Sequence, residues 1–99
     1  MAIKIQRGGG NVFADLGFAP AEAANLQVRS DLIVQLRKRL DSLQVTRSQA
    51  ARLLGVSQPR VTDLMHGRID RFSVDVLMKL LGKAGIEVRL IVRAGPKAA

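Results

Sequence analysis

The 99-residue chain contains no cysteine, tryptophan or tyrosine, and its aromatic residues are three phenylalanines. Without cysteine, disulfides and thiolate chemistry are excluded. With so few aromatics, the core must be built from Leu, Val, Ile and Ala, which suits packed helices better than a large sandwich. The sequence also lacks an apolar run of the roughly 18 residues that a membrane span needs, and an apolar secretory segment at its N-terminus. We therefore expect a cytoplasmic protein with no membrane partner.

Acidic residues are scarce: 8 Asp and Glu stand against 16 Lys and Arg, which gives a formal net charge of +8. Such an excess indicates a polyanionic partner, which is nucleic acid, an anionic membrane surface or an acidic protein. The carboxylates form no paired-acid pattern and no Ser/His/Asp arrangement stands out, so we predict that the chain is not an enzyme. His66 is the sole histidine, and with no cysteine beside it we predict neither a metal site nor a cofactor.

The length suits one domain, preceded here by an arm over residues 1–19 that we predict to be partly ordered. Ile3–Ile5 alternates like a short strand. The glycines at 8–10 are interpreted as a flexible leader, because no Lys-Ser or Lys-Thr follows them as in a phosphate-binding loop. Residues 11–20 are too apolar for a free tail, so we expect them to dock on the helical body, where they can also offer surface to a partner.

Helical periodicity and capping residues predict four helices over residues 20–84, which we take as the main domain. One apolar stripe in the first helix consists of Val28, Leu32, Leu36, Leu40 and Leu43. The second begins at a capping box, Thr46-Arg47-Ser48-Gln49. The predicted starts are Pro20, Thr46, Ser57 and Ser73, and the predicted ends are Leu43, Gly55, His66 to Gly67, and Gly85.

The period changes to strict alternation over residues 85–93, where Ile86, Val88, Leu90 and Val92 predict a β-strand. A lone strand cannot satisfy its own backbone groups. Its partner is either the Ile3–Ile5 segment or the same strand of a second subunit, which would make a dimer. Residues 94–99 are predicted to be a disordered tail.

The two short helices of residues 46–67 are joined by a very short turn, as in a helix-turn-helix motif. Ala51 supplies the small side chain that a close crossing needs, and Gly55 supplies a residue that tolerates positive φ. The apolar residues expected to lock the crossing angle are Ala50, Leu54, Val56, Val61 and Leu64.

The pattern Thr-x-x-x-Ala-Ala-x-Leu-Leu-Gly-Val-Ser-Gln-x-x-Val-x-x-Leu-x-x-Gly over residues 46–67 resembles the Cro/repressor-type (XRE) helix-turn-helix family. The resemblance implies a mainly α, lambda-repressor-like domain of four to five helices with a C-terminal β-strand. Asn-Val-Phe-Ala-Asp-Leu-Gly, Gln-Pro-Arg-Val-Thr-Asp-Leu, Arg-Phe-Ser and the terminal strand are further similar to the HigA-type antitoxin-like branch. Members of that branch are typically dimeric and often encoded beside a ribonuclease toxin.

In this family the second helix of the motif lies in the major groove of DNA. Position by position, the resemblance implies base contacts by Gln58, Pro59, Thr62 and Asp63, with Arg60 reaching a guanine or a phosphate. Gln can bond bidentately to adenine, and Asp can accept from cytosine N4. The residues implied in phosphate contacts are Arg47, His66, Arg68 and Arg71.

Two functions follow as hypotheses. The first is a homodimeric, sequence-specific transcriptional regulator on a palindromic operator in double-stranded DNA, an autorepressor and in one version the antitoxin of a toxin protein. The second is a protein–protein interaction module that uses the helix-turn-helix only as a scaffold. The polar, largely cationic face of Gln58, Arg60 and Thr62 favours the first. RNA binding is less favoured, because RNA readers generally expose stacking aromatics.

Overall fold

The computed structural model describes the backbone of residues 2–6 and all of residues 12–92. The described chain is mainly helical, with one short strand at each end, which confirms the predicted fold class. The elements are β1 (Ala2–Gln6), α1 (Val12–Asp15), α2 (Pro20–Leu43), α3 (Arg47–Leu54), α4 (Gln58–Met65), a 3₁₀ turn (Ile69–Arg71), α5 (Val74–Lys83) and β2 (Glu87–Ile91).

Helix α2 is the long central element, against which α1, α5 and the 3₁₀ turn pack. It begins at Pro20, as predicted, because a proline in the first turn gives up only an N–H that has no helical partner. It ends at Leu43, where Gln44 adopts φ 54° and donates its N–H to the Asp41 carbonyl. The predicted stripe is buried at Leu32, Leu36 and Leu40 and half-buried at Val28, whereas Leu43, the last residue of α2, is exposed.

Helices α3, α4 and α5 start at the predicted caps. The Thr46 hydroxyl accepts from the Gln49 N–H at 3.1 Å, and the Gln49 side-chain oxygen accepts from the Thr46 N–H at 2.8 Å, which completes the capping box. Ser57 and Ser73 accept from the N–H groups of Arg60 and Val76 in the same way. Among the described residues, no helix is apolar over the length that crossing a membrane requires.

One apolar core joins α2 to α5 and includes the inner faces of α3 and α4. Its largest fully buried side chain is Phe72, which follows the 3₁₀ turn and is 2% exposed. Leucine supplies most of the remaining volume, as the composition predicts. The other fully buried large side chains are Leu32, Ile33, Leu36, Leu54, Val61, Leu64, Leu77 and Leu81.

The terminal strand pairs within the chain. β2 lies parallel to β1, with Ala2 opposite Glu87 and Gln6 opposite Ile91. Of the two partners left open by the sequence, the Ile3–Ile5 segment is therefore the one observed. The glycine leader at 8–10, residue 93 of the predicted strand and the predicted tail at 94–99 lie outside the described residues.

The apolar segment after the glycines forms α1, a single turn that packs on α2, so its predicted docking is confirmed. Phe13 and Phe18 meet edge to face with ring centroids 6.1 Å apart. The docking is incomplete, because Val12, Leu16 and Phe18 are 55%, 70% and 41% exposed. An apolar surface therefore remains beside the N-terminal end of α2.

Candidate nucleic-acid interface

The turn between α3 and α4 has the geometry that the sequence predicts. Gly55 adopts φ 70°, a conformation that strains any residue with a Cβ. The N–H of Val56 donates to the Ala51 carbonyl at 3.0 Å, which closes the C-terminal end of α3. Ala51 is 8% exposed and belongs to the apolar core to which α3 and α4 both contribute. This turn fixes the direction in which α4 leaves the body.

Helix α4, the candidate recognition helix, buries one face and exposes the other. Val61 and Leu64 are each 1% exposed and hold the helix on the core. Gln58 and Pro59 in its first turn are exposed, while Thr62 and Asp63 are half-buried one turn later. Together with Arg60, these are the residues for which base contacts are predicted. Gln58 and Pro59 lie in the first turn of α4, the part that enters the groove in helix-turn-helix docking, and Thr62 and Asp63 lie one turn further along the helix.

Arg47 and Thr62 are brought together although they lie on different helices. The guanidinium Nη1 of Arg47, the first residue of α3, donates to the Thr62 hydroxyl at 3.0 Å. Both side chains are accessible, Arg47 more so than Thr62. A residue predicted to contact phosphate is therefore bonded directly to one predicted to contact a base.

Arg60 is held by the protein itself. Its guanidinium carbon lies 4.4 Å from the centroid of the Phe72 ring, and its Nη1 donates to the Arg71 carbonyl at 2.9 Å. The stack covers the buried phenylalanine and ties the first turn of α4 to the segment after the 3₁₀ turn. To reach a base, as the sequence predicts, the side chain would have to leave both contacts. The base contact stays a prediction.

The acidic residue of α4 is partly compensated. Asp63 lies 3.9 Å from the guanidinium of Arg68, with about a quarter of its side chain exposed. An exposed pair of this kind adds little stability, but it places a positive charge beside a carboxylate that would otherwise repel phosphates. Arg71 makes a similar exposed pair with Asp70 at 3.6 Å. His66 is exposed at the C-terminal cap of α4.

The comparisons with known proteins agree with this geometry. Residues 12–93 match a family described as a helix-turn-helix domain. A solved structure titled "Putative XRE Family Transcriptional Regulator" is 31% identical to the chain, with a TM-score of 0.70. The match covers 79% of this chain and 90% of that one. The chain belongs to the XRE-type helix-turn-helix family. Among curated proteins, no sequence match is found.

In this XRE-type protein, three basic side chains donate to backbone carbonyls, two of them at the C-terminal ends of helices. Lys83 Nζ donates to the Leu54 carbonyl at 3.3 Å, and Arg39 Nε donates to the Ala84 carbonyl at 2.9 Å. Arg29 donates to the Ile69 carbonyl of the 3₁₀ turn at 3.2 Å. A cation at a helix C-terminus is favourable because it faces the negative end of the helix dipole.

Sequence reasoning missed these three roles and interpreted the basic residues of α2 as a possible solvated face. The partner of each side chain lies 29 to 45 positions along the chain, so no local pattern reveals it. Basic side chains that donate hydrogen bonds to backbone carbonyls are less available to contact DNA. The net charge of the XRE-type protein therefore overstates the number of phosphates that it can neutralise.

The predicted sites lie on α4 and on the segment that follows it, and the pair of Asp63 with Arg68 connects the two. Gln58, Pro59, Thr62 and Asp63 share α4, and Arg47 joins them through its bond to Thr62. Arg68 and Arg71 follow α4 beside the 3₁₀ turn, with more than half of each side chain exposed. Within residues 12–92, no group of three or more His, Asp or Glu side chains could hold a metal ion.

Proposed function

We propose that this protein binds a specific sequence in duplex DNA as a homodimer, in the cytoplasm, and represses its own promoter. The coarser part rests on family: a helix-turn-helix domain of XRE type is that of a DNA-binding transcriptional regulator. Regulators of this family are in general not enzymes. The observation that carries the finer part is the exposed first turn of α4, where Gln58 can bond bidentately to a base edge.

Arginines flank this exposed turn on two sides. Arg47 lies at the start of α3, and Arg68 and Arg71 follow the end of α4. Phosphate contacts on both sides of a reading helix fix its register, whereas the base contacts between them carry the sequence information. We expect Gln58 to supply the largest share of the discrimination, with Thr62 second.

Dimerisation is supported by an exposed apolar groove beside β2. Leu90 and Val92 are 52% and 89% exposed, and with Val28 and Val74 they line an apolar groove. Of the strands in the described residues, β2 pairs on one edge only, with β1. A second copy related by a two-fold axis would cover the groove and extend the sheet. The two recognition helices would then lie about 34 Å apart on a palindromic operator.

The dimer has a matched test. Leu90→Glu places a charge in the groove, and Val34→Glu places the same charge at an exposed apolar position of α2 that does not line it. By sedimentation equilibrium we expect Leu90→Glu to be a monomer and Val34→Glu to remain a dimer. A dimer in both variants would show that another surface holds the two copies together.

The DNA-binding proposal is tested with the purified protein, the DNA upstream of its own gene, and a scrambled duplex of equal length and composition. Each is titrated at about 50 and about 200 mM salt, between which the Debye length falls by about half. A preference for the upstream DNA that survives at the higher salt, with a footprint showing a palindrome, would support autorepression. Equal binding that disappears at the higher salt would contradict it.

A second function, as the antitoxin of a toxin protein, is favoured by one observation. Val12, Leu16 and Phe18 leave an apolar surface exposed on and after α1, away from the recognition helix in the sequence. A toxin encoded beside this gene would bury that surface. Co-purification with the neighbouring gene product, lost on Leu16→Asp but not on Gln58→Ala, would support this role on this surface. Retention in both variants would contradict the surface, and no co-purification with the unaltered chain would contradict the role.

A further inference from the structure

The bond between Arg47 and Thr62 has a consequence for what Thr62 can read. A hydroxyl offers one donor hydrogen and two acceptor lone pairs, while a guanidinium only donates. With Arg47 Nη1 at 3.0 Å, one lone pair of Oγ1 is occupied by a positively charged donor. Among the described residues, Arg47 is the hydrogen-bond partner of the Thr62 hydroxyl. The hydroxyl hydrogen of Thr62 therefore remains available to donate.

The charge of the guanidinium also orients the hydroxyl. The O–H dipole is most stable with its oxygen toward the cation and its hydrogen turned away. A second donor approaching Oγ1, such as the amino group of adenine or cytosine, would bring a further partial positive charge beside Arg47. The acceptor role of Thr62 is thereby disfavoured and its donor role is favoured.

We infer that Arg47 is a specificity-positioning residue: it makes Thr62 a hydrogen-bond donor that selects an acceptor on the base edge. In the major groove, guanine presents N7 and O6, adenine presents N7, and thymine presents O4, whereas cytosine presents only its amino donor. Thr62 therefore rejects cytosine on the strand that it contacts. This inference rests on the proposed sequence-specific binding and names what one position of that site selects.

The two partners differ in what each does for binding. Thr62 selects among bases, and a single neutral hydrogen bond of this kind corresponds to a preference of about three- to tenfold. Arg47 contributes to affinity for every sequence through its charge, and in addition sets the preference at the one base pair that Thr62 faces. A purely phosphate-binding arginine would have only the first effect.

The test measures base preference at every operator position, by competitive binding of a library in which each position is varied singly and the bound fraction is sequenced. The proteins are the unaltered chain, Arg47→Ala, Thr62→Val, Thr62→Ser and the Arg47→Ala/Thr62→Val double variant. Valine keeps the shape of threonine but has no hydroxyl, and serine keeps the hydroxyl. Preferences are ratios within one sample, so a partly unfolded variant does not distort them.

Arg52→Ala is the matched control. Arg52 is also an exposed arginine of α3, so the variant removes the same charge from the same helix, but the structure shows no bond from Arg52 to α4. We expect it to weaken binding to all sequences alike and to leave every preference unchanged. Arg47→Ala and Thr62→Val should both lose the preference at one shared base pair, about three- to tenfold, and the double variant should lose no more than either.

Thr62→Ser should keep the preference at that base pair. If Arg47→Ala weakens all sequences evenly, as Arg52→Ala does, while Thr62→Val loses one preference, Arg47 does not position Thr62 and the inference is overturned. It is overturned too if base analogues placed on each strand separately show that Thr62 contacts the amino group of cytosine at that base pair. If the unaltered chain has no preference at any position, sequence-specific binding itself fails, an outcome distinct from the other two.

Discussion

Arg60 offers the sharpest test of how this domain is held together, because its position in α4 predicts a DNA contact and its contacts predict a structural one. Arg60→Ala removes the stack on Phe72, worth about 0.5–1 kcal/mol at a partly exposed site. It also removes a charged hydrogen bond to the Arg71 carbonyl, worth about 1.5 kcal/mol when buried and less here, since the side chain is half-exposed. We expect a loss of about 1–2 kcal/mol in the free energy of unfolding.

For a domain of this size, that loss corresponds to a fall of about 5–15 °C in Tm. The assay is thermal unfolding followed by far-ultraviolet circular dichroism, with urea titrations for the free energy. Arg60→Lys keeps the charge but has no planar group to lie on the ring, so an intermediate Tm is expected. Arg52→Ala, an exposed arginine of α3, should change stability by no more than about 0.5 kcal/mol.

DNA affinity is measured on the same variants well below their unfolding midpoints. If Arg60 is structural, its removal weakens binding only as far as loss of one charge does in Arg52→Ala. The reasoning would be refuted by the reverse pattern: a Tm close to that of Arg52→Ala together with a loss of operator preference. In that case the side chain leaves Phe72 on DNA binding and reads a base, as the sequence predicts.

Three further changes test separate parts of the molecule. Thr46→Ala removes the hydroxyl of the capping box and should cost about 1 kcal/mol, read as a lower Tm, and an unchanged Tm would mean that α3 needs no cap. Gln58→Ala should weaken operator binding by about 1–3 kcal/mol and leave binding to scrambled DNA nearly intact, in fluorescence anisotropy titrations; equal losses on both duplexes would assign Gln58 to the backbone. Leu36→Ala opens a cavity at a fully buried position of α2 and should cost about 2–5 kcal/mol in urea unfolding, a cost below 1 kcal/mol being incompatible with the packing described.

The parts of the fold that could be predicted are those in which cause and effect lie within a few residues. Thr46 and Gln49, three positions apart, each accept a hydrogen bond from the other's backbone N–H, so four consecutive residues are enough to predict the start of α3. Gly55 marks the turn because the φ that it adopts excludes side chains, whatever the rest of the chain does. Pro20 and Ser73 mark helix starts for equally local reasons.

The parts that could not be predicted depend on residues far apart. The sequence identified a strand over residues 85–93 but left two partners open, because alternation shows that a strand needs a neighbour and not which one. The 3₁₀ turn at Ile69–Arg71 was not predicted. It comes two residues after Gly67, which has φ 69°, and the carbonyl of its first residue, Ile69, accepts a hydrogen bond from Arg29 of α2, a contact that no local pattern encodes.

The candidate site shows the same division. The register of the motif places Gln58 and Thr62 on α4, and the structure has them there. The bond from Arg47 to Thr62 and the stack of Arg60 on Phe72 depend on how α3, α4 and the segment after the 3₁₀ turn are packed. A list of residue types at helical spacing therefore predicts which side chains lie on α4, while the division of roles among them needs the tertiary contacts.

The pairing of β1 with β2 also bears on the order in which the molecule can assemble. During synthesis β1 is made before all the described helices and β2 after them. The first strand therefore has no pairing partner while the helices between the two strands are being synthesised. Closing so long a loop is slow compared with forming helices. The helix-turn-helix can thus be in place before the sheet exists, and amide hydrogens of residues 87–91 should exchange with solvent sooner than those of α2 and α5.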